Sequence, residues 1–398
     1  MDGWKPLSGA RVLDLTRNVA GPFATAILAD LGAAVTKVEQ PGCGDDTRQW
    51  GPPFVRDDGA MFLQLNRNKE SLALDLAHPA AREVMTRLVR EADVVVDSFR
   101  PGSLDKLGFG PDWAQRVNPK LIYASITAYG DTGPRKDMPG YDPLMQAYTG
   151  LMSVTGEEGA PPVRVGFSVV DMGTGMWCAI GILAALLRAR ETGKGERIVT
   201  ALYETSIAWS MMILGTLWAG GGLPKAHGSG ISTIVPYRAY RARDAYVLIA
   251  AGNDRLFKRL AGVLGQEQWA DMEGFRTNAQ RVANREAVDA AVAAEVGKRD
   301  AEALLAALEK AGIPCSPIRD YGALINDPQA EALKIFAKAA AGAYTDHPIV
   351  SIPVKGGGER CPIAASAPTL GQHNEEVLGR LGFDGADISA IASAMRAH

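Results

Sequence analysis

The chain has 398 residues, enough for two or three domains at about 150 residues each. Hydrophobic residues make up 47% and charged residues 22%, the ordinary globular balance, so disorder, collagen and coiled coil are excluded. The formal charge of -3 supplies no net basic field for a polyanion, and nucleic acid is not an expected partner.

Glycine, at 44 residues, is the one excess over a usual ~7% and points to tight turns and close backbone approaches. Cys43, Cys178, Cys315 and Cys361 are far apart, without metal or redox spacing, which fits reduced thiols in a cytoplasmic protein. The opening M-D-G-W-K-P-L carries an acid at Asp2 and no apolar run behind a basic start, so no secretory signal is expected.

In chain order, short β-branched runs alternate with helical patterns over the first two hundred residues, the signature of a parallel sheet covered by helices. Strands are predicted over 11–15, 34–39, 71–76, 93–97 and 121–126. Helices are predicted over 22–31, 79–92, 141–151 and 173–192, the last stopped by Gly193, Lys194 and Gly195. The uncharged stretch 205–224 reads as a buried helix rather than a membrane span, because it is rich in glycine and has Glu204 instead of a basic flank. A glycine-rich linker over 220–230 follows. A hairpin of 235–240 and 246–250 then opens a smaller α+β region with helices over 254–264, 285–298 and 301–311. The tail carries two more helical patterns, 374–381 and 387–397, without a core of their own.

Most standard catalytic motifs are missing. The first strand-to-helix turn reads T-R-N-V-A-G-P-F, which lacks the G-x-G-x-x-G backbone of a dinucleotide site. There is no P-loop and no G-x-S-x-G elbow. His78, His227, His347, His373 and His398 have no i,i+4 partners, so no metal site is expected. What remains is P-P-V-R-V-G-F-S-V-V-D-M-G-T-G-M-W, in which Asp171 stands between an apolar run and a helix, with Gly173 and Gly175 leaving room for a ligand. From position alone the commoner role for Asp171 is helix N-cap. A helix start equally favours an ionised carboxylate, which can act as a nucleophile and carry an acyl group.

At this segment the chain resembles the class III CoA-transferase family, which includes formyl-CoA transferases, carnitine CoA-transferases and 2-methylacyl-CoA racemases. The likeness is carried in order by V-L-D-L-T-R-N-V-A-G-P, L-G-A-A-V-T-K-V-E-Q-P-G, N-R-N-K-E-S-L-A-L-D-L, D-S-F-R-P-G, L-D-K-L-G-F-G, P-G-Y-D-P-L-M-Q-A-Y-T-G-L-M, the Asp171 segment, V-P-Y-R-A-Y and L-G-Q-H-N-E-E-V-L. It implies an α/β fold: a large Rossmann-like parallel-sheet domain built from N- and C-terminal parts beside a smaller α+β domain, in an interlocked homodimer. The expected boundaries are 1–200 for the first part of the large domain, 201–230 for linker helix and loop, 231–325 for the small domain and 326–398 for the return.

The resemblance also implies the chemistry. Asp171 matches the family's catalytic aspartate, which attacks a donor thioester to give an aspartyl anhydride and then an aspartyl-CoA thioester. Coenzyme A is a co-substrate, with no tightly bound cofactor and no metal. Its expected contacts are Val19, Ala20, Leu74, Asp75, Ser98, Phe99, Arg100 and Lys106, with Leu74 and Asp75 acting through backbone. Backbone N–H groups near the two glycines are candidates for oxyanion stabilisation. Tyr141 stands where the racemases carry a histidine, and a tyrosine of pKa about 10 is a poor base, which favours transfer over racemisation. Tyr141 is otherwise a core aromatic at a helix start. His227, Gly228 and Gly230 form a loop that would face an acceptor acid, a solvated loop histidine being the alternative. Gln40 and Val19 replace residues of the formyl-CoA transferases, which argues against oxalate and formate. Succinyl-CoA is the preferred donor and a small carboxylic or dicarboxylic acid the acceptor. The alternatives are a 2-methylacyl-CoA epimerase and a non-catalytic acyl-CoA-binding protein. No membrane partner is expected.

Overall fold

The computed structural model describes residues 4–396; Met1, Asp2, Gly3, Ala397 and His398, and with them the end of the helix expected over 387–397, lie outside the described residues. The chain divides into two compact units. One runs to Thr149, resumes over Gly166–Met212 and again from Gln329, and the other combines Gly150–Val165 with Ile213–Pro328.

The first unit is organised by a six-stranded sheet whose central strands are buried on both faces, as the unbroken Val94-Val95-Val96 run requires. Its elements are β1 (Arg11–Leu15), α1 (Ala20–Asp30), β2 (Ala34–Glu39), β3 (Lys69–Ala73), α2 (Ala81–Glu91), β4 (Val94–Asp97), β5 (Ile122–Thr127), α3 (Asp142–Tyr148), α4 (Val169–Thr192), β6 (Arg197–Ala201) and α5 (Leu202–Trp209). All neighbours pair parallel, in the order β3-β2-β1-β4-β5-β6. The order reverses between β1 and β4, which makes their carboxyl ends the place where an α/β sheet takes its ligand.

Four features differ from the sequence expectation. The sheet has a sixth strand, β6, hidden in the short Ile198-Val199-Thr200 run behind the glycine stop. Strand β3 begins at Lys69, two residues early, because a polar-looking lysine is fully buried there among charged partners. Helix α4 starts at Val169 rather than at residue 173, and Asp171 lies inside its first turn instead of capping it. The stretch expected as one buried helix breaks at Ser210 into α5 and α6 (Met211–Trp218), and Met211, Met212 and Trp218 are 62%, 81% and 78% exposed among the described residues.

Helix α4 is long and apolar enough by length and composition to cross a membrane. Its residues Val170, Thr174, Cys178, Ile182 and Ala185 form a buried stripe at helical spacing, the pattern of a core helix.

In the second unit, β7 (Tyr237–Arg241) and β8 (Tyr246–Ala250) form the expected hairpin, with Arg241 opposite Tyr246. Helices α7 (Asp254–Leu264), α8 (Arg285–Val296) and α9 (Ala301–Lys310) cover it, and β9 (Cys315–Pro317) adds a third, antiparallel strand. The segment Gly150–Val165 is tied here by the Gly228 N–H, which donates to the Gly156 carbonyl at 2.7 Å, and by Lys225 with Glu158 at 2.8 Å.

The chain then returns to the first unit through α10 (Asn374–Arg380) and α11 (Gly385–Arg396). Val377, Leu378 and Leu381 join the core formed by Leu72, Leu74, Val84 and Leu88. The same tail closes the sheet's open edge at β3: the Ala73 N–H donates to Asn374 Oδ1 at 2.8 Å and the Ser71 N–H to His373 Nδ1 at 3.0 Å.

Under the first turn lies a cluster of fully buried charges. Lys37 Nζ pairs with Asp45 Oδ2 at 2.8 Å and donates to the Thr16 carbonyl at 2.7 Å, while Lys69 Nζ pairs with Asp14 Oδ2 at 3.0 Å. Burial pushes Lys69 down to about 8, and burial would do the same to Lys37 but for Asp14 and Asp45, which hold it above its ordinary value. Replacing Lys37 by Met leaves Asp45 buried without its cation. We expect Lys37→Met to cost about 3–5 kcal/mol, read as a lower urea midpoint by circular dichroism.

Candidate active site

At the carboxyl ends of β1 and β4 a cleft of about 210 Å³ is lined by Leu15, Arg17, Val38, Leu74, Asp75 and Phe99, among others. Leu74 is 1% exposed, with its side chain in the core and its N–H donated to the Glu39 carbonyl at 2.9 Å. The turn after β4 is built by Asp97, whose Oδ1 accepts the Phe99 N–H at 3.0 Å while Oδ2 accepts the Ser125 hydroxyl at 2.8 Å. Ser98 Oγ accepts the Arg17 N–H at 3.0 Å and so binds this turn to the one after β1. Arg100 and Lys106 are exposed, and neither pairs with a carboxylate among the described residues. They adjoin in sequence the cleft-lining Phe99 and Leu107, and cations without a carboxylate partner are suited to phosphates.

Arg17 was not singled out by the sequence reading. Its guanidinium lies over the Phe99 ring, 5.8 Å from the centroid, and 3.9 Å from Asp46. Its signal was the arginine in T-R-N-V-A-G-P, passed over for its neighbours. Val19 is the N-cap position of α1 and Ala20 its first residue, and both are buried.

Asp171 sits in the first turn of α4, half-buried. Burial, and then the charge of Asp142, push its carboxyl up to about 7. Asp142 is a second residue missed by the sequence reading, although it stands in P-G-Y-D-P. It is 1% exposed, and its Oδ2 accepts the Val170 N–H at 2.7 Å and the Asp171 N–H at 3.3 Å. The helix is thus capped by a carboxylate from α3 rather than by its own sequence, which explains its early start.

The two glycines do not open space for a ligand, as expected from sequence; they admit neighbours. A Cβ on Gly173 would lie 2.6 Å from the Trp209 ring, and one on Gly175 would lie 2.5 Å from the Ala20 carbonyl. Gly175 follows Asp171 by four residues on the same face, so this contact brings the start of α1 to the carboxylate's side of α4. Nor are N–H groups free there for an oxyanion: Val169 donates to the Phe167 carbonyl, Val170 and Asp171 to Asp142, and Met172 to the Ser168 carbonyl.

Tyr141 is 55% exposed, which rules out the core-aromatic alternative, and it immediately precedes Asp142. The structure therefore gathers Val19, Ala20, Leu74, Asp75, Ser98, Phe99, Arg100, Lys106, Tyr141 and Asp171 in one unit. His227, Gly228 and Gly230 belong to the other. There Gly228 has φ +61, the Gly230 N–H donates to the His227 carbonyl at 2.9 Å, and Ser229 Oγ accepts the Ala239 N–H at 2.9 Å. Burial first, and then the charge of Arg285, push His227 below its ordinary value.

A doubly wound sheet with a perturbed carboxylate at a helix start, and without the glycine-rich turn of a dinucleotide site, sets this α/β protein apart from the nucleotide redox proteins. The model of CoA-transferase family III matches residues 7–374, and the chain belongs to that family. It is similar to the succinyl-CoA:glutarate CoA-transferase of Mus musculus, 37% identical over 383 residues that span 95% of this chain and 86% of that protein. It is likewise similar to the succinate–glutarate CoA-transferase of Agrobacterium fabrum (strain C58 / ATCC 33970), 38% identical over 382 residues, 94% of this chain and 96% of that one. Among solved structures, a CAIB/BAIF family protein from Brucella suis superposes with a TM-score of 0.84 at 37% identity, over 94% of this chain and 99% of that chain. The protein is a class III CoA-transferase, an enzyme that uses CoA thioesters as co-substrates and needs no tightly bound cofactor.

The raised Asp171 has a consequence for stability. Between the ordinary aspartate value of about 4 and its folded value of about 7, the native form holds a proton that the unfolded chain has released. The stability this confers is complete below the unfolded value and lost as pH rises to the folded one. We expect Asp171→Asn to raise Tm relative to the parent at pH 8, with the gain vanishing as pH falls toward 4, in paired thermal unfolding curves.

Proposed function

We propose that the enzyme moves CoA from succinyl-CoA to a small dicarboxylic acid, with Asp171 as temporary covalent carrier. The observation that carries this reading is the half-buried Asp171 with its raised carboxyl pKa, beside the start of α1. A carboxylate of higher pKa is a stronger nucleophile, and near neutral pH a useful fraction of it is ionised. Its attack on the thioester carbon breaks the C–S bond and gives an aspartyl anhydride and CoA thiolate. The thiolate then attacks the aspartyl carbonyl, forming the Asp171–CoA thioester and releasing succinate. The acceptor carboxylate and the returning thiolate reverse these two steps on the new acid.

In this reading CoA lies in the switch-point cleft, its phosphates met by Arg17, Arg100 and Lys106, and its chain passing the backbone of Leu74 and Asp75 and the turn at Ser98 and Phe99 toward Val19 and Ala20. Tyr141 is the candidate acyl contact on the Asp171 side. His227, Gly228 and Gly230 remain candidate acceptor contacts through the family resemblance. The dicarboxylate assignment draws on the activities for which these relatives are named. The exposed tyrosine at 141 disfavours epimerisation, which needs a second base and would wash deuterium into the α-carbon without an acceptor acid.

The reading includes an interlocked homodimer in the cytoplasm. Support for association is the exposure of the large apolar side chains Ile180, Leu187, Met211, Met212 and Trp218. Light scattering should then return twice the chain mass.

After mixing with succinyl-CoA and trapping with hydroxylamine or borohydride, intact-protein mass spectrometry should find modification at Asp171. Asp171→Ala should retain the fold and lose transfer by at least about a thousandfold. Transfer that survives the substitution overturns the mechanism, and binding of acyl-CoA without any adduct would make the protein a carrier rather than a catalyst.

A further inference from the structure

We propose that Asp142 is the positioning residue of the reaction: its buried carboxylate fixes the first turn of α4, and its charge disfavours Asp171 as a carboxylate relative to Asp171 as a neutral acyl group, driving the enzyme toward its covalent intermediates. The inference rests on Asp171 being the covalent carrier.

The geometry has three parts. Asp142 Oδ2 receives the N–H groups of Val170 and of Asp171 itself, at 2.7 and 3.3 Å, so the two aspartates are joined through the backbone of the reacting residue. Asp142 Oδ1 is held by the Gln146 side-chain amide from the next turn of α3. At 1% exposure, water does not screen the charge of Asp142 from its neighbour.

No other charge competes for this role. Of the elements packed on α4, α1 brings Asp30, paired with Arg67, and β6 brings Arg197, which faces Asp131. β5 brings Tyr123, α3 also brings Tyr148, and α5 brings Tyr203 and the exposed Glu204. Asp142 is the one charged group that acts on Asp171 among the described residues, and it acts in the same direction as burial.

The charge balance of the reaction gives that arrangement its use. When Asp171 attacks the thioester, its negative charge leaves with the thiolate, and when the thiolate returns, it leaves with the donor carboxylate. In both covalent states Asp171 is neutral. Asp142 therefore repels the free enzyme's Asp171 and neither intermediate, which raises the equilibrium constant for acylation by the factor by which it raises the basicity of Asp171.

Asp142→Asn and Asp142→Ser each keep an oxygen acceptor for the helix start and remove the charge. Two quantities are read after mixing with succinyl-CoA at a fixed ratio to succinate: the pH midpoint of adduct formation and the equilibrium ratio of Asp171–CoA thioester to free enzyme. We expect the midpoint to fall by about one unit and the ratio to fall about tenfold together, one unit of pKa being a factor of ten. A purely structural cap would slow the reaction and leave the midpoint in place. An unchanged midpoint and ratio in either folded variant overturns the proposal, as does a midpoint near 4 in the unsubstituted enzyme, which needs no variant. Absence of any adduct in the unsubstituted enzyme overturns the carrier reading itself, and this inference with it.

Discussion

A carboxylate from one helix accepts the first free N–H groups of another, and that contact decides where α4 begins. Without the Asp142 cap, the β-branched Val169 and Val170 have no local reason to be helical. With it, the first turn closes around Asp171, and Gly175, one turn on, meets the Ala20 carbonyl at the head of α1. A slip of α4 by one turn would carry Asp171 about 5.4 Å from its place, farther than a reacting carboxylate can tolerate.

The buried ions beneath the first turn serve the same end. The turn after β1 passes through Asn18 at φ +69, and its backbone cannot be satisfied by the sheet. Lys37 supplies a donor for the Thr16 carbonyl and Asp45 an acceptor for the Asn18 N–H at 3.2 Å, so the loop is fixed from below. Apolar residues of the same volume would pack there, but they would leave that carbonyl and that N–H unpaired. The charges hold in place the loop that leads into the start of α1 at Val19 and Ala20.

Much of this was legible in the sequence. The five strands recognised by β-branched runs, the hairpin at 235–250 and the helix over 254–264 follow from local periodicity, and the structure forms them close to the expected bounds. What was not legible depended on residues far apart in the chain. Lys69 fell outside the predicted strand because its partners Asp14 and Thr25 are brought to it by the fold. Gly173 and Gly175 looked like ligand space because sequence does not say that Trp209 and Ala20 come to fill it. Asp171 was singled out through its motif and Asp142 was not, although both stand in segments that carry the family resemblance: a carboxylate that caps another helix leaves no local pattern. The uncovered Met211, Met212 and Trp218 likewise show that an apolar run predicts burial without naming what buries it.

Half-burial suits a carboxylate that must be attacked and released in turn. An exposed aspartate, near pH 4 in its titration, would be a weak nucleophile and a good leaving group, and its anhydride would meet bulk water. A sealed one would meet no thioester at all. Asp171 keeps one side against Asp142 and the helix start, where burial and then repulsion raise its basicity, and on the proposed mechanism its remaining exposure would be the route by which a thioester reaches it. On the proposed mechanism the repulsion ends when Asp171 becomes an anhydride or thioester, so strain held in the resting enzyme would be released on acylation, and a single side chain would hold CoA long enough for one acid to replace another.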